Sequence, residues 1–377
     1  MTVYLDNSAT TRVCPEAAEA AVKMMTENFG NPSSSHRPGR EAAKALAQAR
    51  SDIAASLGAL PDEIFFTSGG TEADNWALTS GAFLQRHRGR HIVSSRTEHD
   101  AIGKSLDRLE QQGFEITRLS PRADGAIHAE DVADVLRPDT ILVSLMLVNN
   151  ETGAVNDIAA VSRAIRNSGC PALLHSDAVQ GYMKIPFTAK SLGADMISLS
   201  AHKINAPKGT GALYVRRGLR LPPFIVGGGQ ESGFRSGTEG LPGICAFAAA
   251  ANVALKVMDQ SMENMASLRA LAVDTLKRQC PELVVIGGGA PHILCLSLPG
   301  YKSEVLLNFL DAKGVCVSKG SACKKGARSH VLASMSLPAD VMDGAIRISL
   351  CRFTTEKEIR YFCDCLVQAR NTLLKVL

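Results

Sequence analysis

The stretch Ser198-Leu-Ser-Ala-His-Lys-Ile-Asn-Ala-Pro-Lys-Gly-Thr-Gly211 decides how the rest of the chain is read. It continues the apolar run Ala194-Asp-Met-Ile-Ser-Leu-Ser200, which reads as a buried strand, and leads through Gly209 and Gly211 into a second strand, Ala212-Leu-Tyr-Val215. Lys203 therefore stands just past a strand end, beside Ser200 and His202. Burial and neighbouring cations depress the pKa of an amine in such a place, which makes Lys203 a candidate Schiff-base former. The alternative is that Lys203 and Lys208 are solvated loop lysines, as most lysines are.

On the N-terminal side of this stretch, strands alternate with helices. Residues 63–67, 91–94, 114–117, 140–148 and 172–175 read as strands. Helices are expected over 40–57, after Gly70, over about 99–113, and over 129–136 and 157–168. Such alternation implies right-handed crossovers and a mostly parallel sheet covered on both faces. Ligands of such sheets bind beyond the carboxyl ends of the strands. Polar clusters follow the strands there: Thr97-Glu-His99, Val148-Asn-Asn-Glu-Thr152, Ser176-Asp-Ala-Val-Gln180 and Ser200-Ala-His-Lys203. The turn Ser68-Gly-Gly-Thr71 joins a strand to a helix N-terminus and offers backbone N–H groups to a phosphate. The plainer alternative is an N-cap by Thr71, with Glu72 and Asp74 in the first turn. Asp177 as a turn cap, His99 as a helix start and Asn149-Asn150 as turn formers are likewise open alternatives.

On the C-terminal side, after Gly227-Gly-Gly229 and Arg235-Ser-Gly-Thr238, long helices are expected over 241–258 and about 262–279. A smaller α/β unit follows, with strands near 283–285, 292–298, 314–318 and 345–350, a helix over 303–313, and a terminal helix carrying Ile359, Phe362, Leu366, Ala369, Leu373 and Val376 on one face. We place residues 15–255 in a large domain, and residues 1–14 and 256–377 in a small one. Arg347 on an apolar strand needs an anionic partner, which need not be a ligand. Cys323 sits in the cationic, Gly-containing segment Ser318-Lys-Gly-Ser-Ala-Cys-Lys-Lys-Gly-Ala-Arg-Ser-His330. Lys324, Lys325 and Arg328 would hold its thiol below the usual value of about 8.5. An incidental thiol on a solvated loop is the alternative.

At 377 residues and 45% hydrophobic, the chain has material for a large core. The 41 basic and 37 acidic residues are dispersed, so the net charge of +4 marks out neither a nucleic-acid face nor a membrane face. The start lacks a signal-peptide pattern and no apolar run is long enough to span a bilayer, so a cytoplasmic protein is expected. Ten cysteines lack the repeated Cys-x-x-Cys spacing of metal sites, and no metal is expected.

Asp6-Asn-Ser-Ala-Thr-Thr11, Ser68-Gly-Gly-Thr-Glu72, Thr97-Glu-His99, Val148-Asn-Asn-Glu151, Ser200-Ala-His-Lys203, Arg235-Ser-Gly-Thr238, Gly320-Ser-Ala-Cys323 and Arg347 occur in that order. Together they resemble the cysteine desulfurases of the NifS/IscS-like group within the class V aminotransferase family. The resemblance covers nearly the whole chain. It implies a pyridoxal-phosphate (PLP)-dependent transferase fold of type I, an α/β fold with a mostly parallel seven-stranded sheet in the large domain, and a homodimer. It also implies conversion of L-cysteine to L-alanine, with sulfur carried as a persulfide on Cys323 to an acceptor protein in iron–sulfur cluster, thio-cofactor or tRNA thiolation pathways.

By the resemblance, Lys203 carries the Schiff base and moves the Cα proton, Asp177 pairs with the pyridine nitrogen, and His99 lies over the ring. Gln180 meets the phenolic oxygen. Gly70, Thr71, Ser200 and His202 hold the phosphate, joined by Thr238 from a second subunit. Arg347 clamps the substrate carboxylate, with Asn150 close by. Ala206 stands where relatives have Gly, and Lys319, Lys324 and Lys325 make the cysteine segment more basic than expected. Several relatives that serve iron–sulfur scaffolds extend beyond the equivalent of Leu377, so docking to such a scaffold is not implied. The alternative functions are a selenocysteine lyase or another enzyme of this scaffold, and a non-catalytic sulfur carrier or scaffold.

Overall fold

The computed structural model describes residues 2–319 and 328–375. Its strands are β1 (Val3–Tyr4), β2 (Ile64–Thr67), β3 (His91–Ser95), β4 (Glu115–Leu119), β5 (Thr140–Ser144), β6 (Leu173–Asp177), β7 (Met196–Ser200), β8 (Gly211–Val215), β9 (Val284–Ile286), β10 (Ile293–Ser297), β11 (Val315–Cys316) and β12 (Ala345–Ser349). Its helices are α1 (Pro15–Thr26), α2 (Arg37–Ser56), α3 (Gly70–Gln85), α4 (Asp100–Gln111), α5 (Ala129–Ala133), α6 (Ile158–Ser168), α7 (Ala189–Leu192), α8 (Leu241–Lys256), α9 (Met258–Gln279), α10 (Ser303–Ala312), α11 (His330–Ser334), α12 (Ala339–Asp343) and α13 (Glu356–Thr372).

Seven strands form one sheet in the order β2-β8-β7-β6-β5-β3-β4, and β8 alone runs against the others. Side chains alternate across a strand, so consecutive apolar residues must be buried on opposite faces. Val93, Val143, Leu174 and Ile197 enter one core, while their neighbours Ile92, Leu142, Leu173 and Met196 enter another under α3 and α4. This two-sided burial explains why the strands read as continuous apolar runs.

A further core gathers Val3 and Leu5 with Leu268, Leu294, Leu296, Ile346, Ile348, Phe362 and Leu366. It is built on the antiparallel sheet β12-β10-β9 and on β1 paired with β11. The axes of α8 and α9 differ by 74°, and the break falls at Val257. No single helix among the described residues is long and apolar enough to cross a membrane. None of the nine described cysteines is in a disulfide, and Cys363 and Cys365 are buried on α13.

The N-terminal segment runs between the two groups of cores. On one side Ser349 N donates to Leu5 O (2.7 Å), Asn7 Nδ2 to Ser349 O (2.8 Å) and Ser8 N to Ser349 Oγ (2.7 Å). On the other, Thr11 N and Oγ1 both donate to His202 O (3.0 and 2.8 Å).

Several expectations need correction. The strand expected over residues 140–148 ends at Ser144, although Leu145 N and Leu147 N still donate to His175 O and Asp177 O. The α3 N-cap is Gly69, with no side-chain cap, and Thr71 lies inside the helix. The sequence reading lacks α1, whose buried positions Ala17 and Met24 make a weak stripe, and also the short α7, α11 and α12.

A glycine sets the spacing at the site end of the sheet. A Cβ on Gly211 would lie 2.6 Å from Leu199 O and 2.7 Å from Cα of Gly69, both rigid backbone. Gly211→Ala is expected to destabilise the fold by about 1–3 kcal/mol through overpacking. A thermal unfolding midpoint equal to that of the parent protein would contradict this account.

Candidate active site

The carboxyl ends of β6 and β7, the N-terminus of α3, the loop after β5 and the inner face of β12 surround one cavity of about 340 Å³. That volume lies at the low end of small-molecule sites. Gly70, Thr71, His99, Asn150, Asp177, Gln180, Ser200, His202, Lys203 and Arg347, all singled out from the sequence, line it. Thr238 does not. It is exposed, on a segment that Arg235 ties to the first turn of α3 through Glu72 (2.7 Å). Cys323 lies outside the described residues.

Lys203 follows β7 in a short 3-10 turn, and its Nζ donates to Ser8 O (2.5 Å) and Ala9 O (2.9 Å). Two carbonyls hydrogen-bond the ammonium without neutralising it. Burial, followed by the positive field of Arg347, therefore lowers the Lys203 pKa to about 8. His202 is lowered to about 4 by burial and then by Lys203 and Lys208, so its ring is neutral. It lies 3.1 Å from Thr10 Oγ1.

Asp177 ends β6, and its Oδ1 accepts from Val179 N (2.9 Å). Burial raises its pKa, while His99, the Val179 N–H and Lys203 favour the ionised form. Asp74, on the buried face of α3, is 1% exposed, and its Oδ1 has no hydrogen-bond partner among the described residues. Burial, with Asp177 adding to it, holds its pKa well above the usual range. Both carboxyls are thus raised by burial, and Asp177 has more groups around it that favour its charged form. His175, below them, is driven to about 3 by burial, and its ring nitrogens lie 2.9 Å from Ser144 Oγ and Ser198 Oγ.

His99 is the N-cap of α4, as the plainer alternative had it, and it also lines the cavity. Its Nδ1 accepts from Ala101 N (3.1 Å), which leaves the proton of the neutral ring on Nε2. Gln180 Nε2 donates to Ser8 O (3.0 Å). Gly70 has no Cβ for a packing reason, since one would lie 2.7 Å from Val179 Cγ2 and 3.5 Å from Ser200 Cβ. The uncapped α3 terminus, Ser200 and Val179 thus close on one another at the cavity floor.

Arg347 is 3% exposed. Its Nη2 donates to Asp6 Oδ1 (2.6 Å) and its Nη1 to Asn150 O (2.8 Å). Its anionic partner is therefore a residue of this chain.

Sequence reasoning gave no role to six lining residues, Ser8, Ala9, Asp74, Glu98, Glu151 and His330, although Glu98 and Glu151 stand in the polar clusters that it placed at the strand ends. Glu98 accepts from Ser95 Oγ (2.6 Å) and Met146 N (3.0 Å), and burial raises it to about 8. Glu151 accepts from Ser329 Oγ (2.5 Å), and His330 Nε2 lies 3.1 Å from Glu98 O. Asp74 carried a local signal of its own, a carboxyl among the apolar positions of α3.

The lowered pKa of Lys203 has a sign that can be tested. The folded protein releases this proton near pH 8, the unfolded chain near 10.4. Lys203 therefore opposes folding below pH 8, and the penalty fades as the pH rises from 8 to about 10.4. Borohydride trapping of an aromatic aldehyde on Lys203 should be half-maximal near pH 8. A profile centred near 10.4 would refute the burial argument.

A sequence profile described as Aminotransferase class-V matches residues 3–362. A protein of Trichormus azollae named "Cysteine desulfurase" is 42% identical over 362 residues, covering 95% of this chain and 90% of that one. "Cysteine desulfurase IscS" of Dictyoglomus turgidum is 39% identical over 369 residues, covering 97% and 93%. A solved structure titled "NIFS-LIKE PROTEIN" superposes with a TM-score of 0.94 at 36% identity, over 99% of this chain and 100% of that one. With one fold and one order of residues shared along nearly its whole length, the chain belongs to the class V aminotransferase family.

Proposed function

We propose that this protein is a pyridoxal-phosphate-dependent cysteine desulfurase, converting L-cysteine to L-alanine and passing the sulfur to Cys323. The observation that carries the reading is the meeting of a lysine of lowered pKa, a buried aspartate and an arginine at one cavity, each from a different element.

The donor set fits the cofactor. The uncapped α3 terminus at Gly70 and Thr71, with Ser200 and the neutral His202, suits a phosphate. Asp177 suits a protonated ring nitrogen, Lys203 an aldehyde, and Gln180 a phenolic oxygen. The floor formed where Gly70 lacks a Cβ suits a flat ring. When bound, the group supplies an electron sink for charge developing at the substrate Cα.

The chain's own residues do the rest. Asp177, whose charged form His99, the Val179 N–H and Lys203 favour, holds a proton at the ring nitrogen. Lys203, partly neutral near pH 8, accepts the Cα proton of cysteine and returns one to the product. Asp6 and the Asn150 carbonyl fix the plane of the Arg347 guanidinium, which then meets the substrate carboxylate as a fork. His99 presents Nε2–H to the cavity. The Cys323 thiolate attacks the sulfur of the substrate: the new S–S bond forms as the C–S bond breaks, and the electron pair stays with the substrate carbon, which is protonated to alanine. Cysteine plus the Cys323 thiol thus gives alanine plus a Cys323 persulfide, and a thiol reductant or acceptor discharges it. In this reading the protein is a homodimer, and the exposed Thr238 serves the partner's phosphate site.

The test is to supply L-cysteine, L-selenocysteine, or an amino donor with a 2-oxo acid, measure alanine or transamination product, and map the persulfide by mass. Alanine should come from cysteine, and the extra sulfur should sit on Cys323. Lys203→Ala should lose activity on the order of 10³-fold or more. Cys323→Ala should keep the cofactor absorption and lose sulfur transfer. Full sulfur release by Cys323→Ala would sink the mechanism, and a colourless protein that takes up no cofactor would favour a non-catalytic carrier.

The fork of Arg347 gives a separate expectation. Arg347→Lys keeps the charge but not the planar pair of donors, so kcat/KM for cysteine should fall about 10–100-fold. An unchanged value would remove Arg347 from substrate binding.

A further inference from the structure

Away from the site just described, Lys184 is 7% exposed, and its ammonium makes no hydrogen bond or ion pair among the described residues. Its backbone neighbour Met183 holds a left-handed conformation (φ 56°), a strain of about 1–3 kcal/mol that persists only where packing enforces it. Lys184 lines a cavity of about 20 Å³ together with Arg352, Asn205, Ser261, Met183 and Met265. Arg352 Nη1 is buried there and also lacks a partner among the described residues.

No carboxylate lines this cavity among the described residues. Asn205 Nδ2 is committed to Arg12 O (2.9 Å). Glu16 lies in the field of Arg352 but is exposed and outside the lining. Two cationic side chains without a counter-ion in the lining therefore face one small cavity, the Arg352 guanidinium also lying 4.8 Å from the centre of the Phe353 ring. Burial lowers the Lys184 pKa, with the Cys351 thiol opposing the shift and the neighbouring guanidinium adding to it, and the fully buried His292 is lowered by burial and then by Lys184. A buried charge without a counter-charge costs several kcal/mol. One water needs about 10–15 Å³ of such space, so the cavity holds a single particle of that size class. A phosphate or an organic acid is too large.

We propose that Lys184 and Arg352 form a binding site for one small monovalent anion, chloride in kind, at the junction of α8 and α9 with the end of β12. The anion bridges the loop that follows Asp177 and Gln180 to the strand that carries Arg347. It stabilises the docking of the small core on the large sheet. The site is independent of the reaction assigned above and stands or falls separately.

Thermal unfolding of the purified full-length protein, in chloride and in methanesulfonate at equal ionic strength, tests the proposal. The midpoint should rise with chloride by about 2 °C over methanesulfonate, which is too large for the cavity. Lys184→Met should abolish that difference. A crystal soaked in bromide should show an anomalous peak in contact with Lys184 Nζ and Arg352 Nη1, and this decides the matter if Lys184→Met does not fold. Equal midpoints in the two salts, a chloride effect that survives Lys184→Met, or an ordered water without anomalous signal at that position would each overturn it.

Discussion

Residues 5–11 have no sheet of their own, yet Lys203, Gln180, His202 and Arg347 all lean on them. A chain passing between two cores must satisfy its backbone polar groups, because a buried N–H or C=O left unpaired costs more than a made hydrogen bond returns. Here Ser349 satisfies the Leu5–Ser8 side, while Lys203 and Gln180 take the Ser8 and Ala9 carbonyls and Thr11 reaches His202. Asp6 holds Arg347 from the same segment. Lys203, Gln180 and Arg347 are thus registered against one short piece of backbone. A shift of β12 relative to β7 would have to break several of these bonds at once, and would leave a buried guanidinium without its carboxylate, a loss of about 3–5 kcal/mol.

Burial does most of the chemical tuning. The same low-dielectric surroundings that push Lys203 down to about 8 push His202 and His175 into neutrality and Glu98 up to about 8. Among buried carboxyls, charge goes to the one with the best compensation. Asp177 has the Val179 N–H, His99 and Lys203 for this purpose, whereas Asp74 has the Ser198 hydroxyl alone. A sheet end is well suited to this sorting, because neighbouring strands bring several titratable groups together while the layers around them exclude water.

The sheet was legible because its strands are apolar on both faces and its helices are patterned, and the residues after each strand could be assembled by the rule that parallel sheets bind at their carboxyl ends. Ten of the residues singled out do line one cavity. What escaped notice is what has no local signature. Asp6, Ser8 and Ala9 act through a carboxylate that looks like part of a turn and through backbone carbonyls, which any residue supplies. His330 and Glu151 meet the site only after the chain has returned across the small core. The α1 helix was missed because alanines and one methionine suffice for its buried face. The cap of α3 was misplaced because Gly69 caps through its backbone freedom (φ 155°) rather than through a side chain such as that of Thr71.

The charge around the cavity also bears on which substrate fits. Asp74, Glu98, Asp100, Glu151 and Asp177 line it, against Lys203 and Arg347 as the strong cations. Arg347 already holds Asp6, and it remains the one guanidinium among the described lining residues that can meet a substrate carboxylate. A second carboxylate on the substrate side chain would find no further lysine or arginine among the described lining residues, with burial raising the cost of each added negative charge. A small side chain that enters uncharged meets none of this opposition. The cavity's modest volume favours the same choice, so size and charge select together for a compact, neutral amino-acid side chain of which a thiol is one.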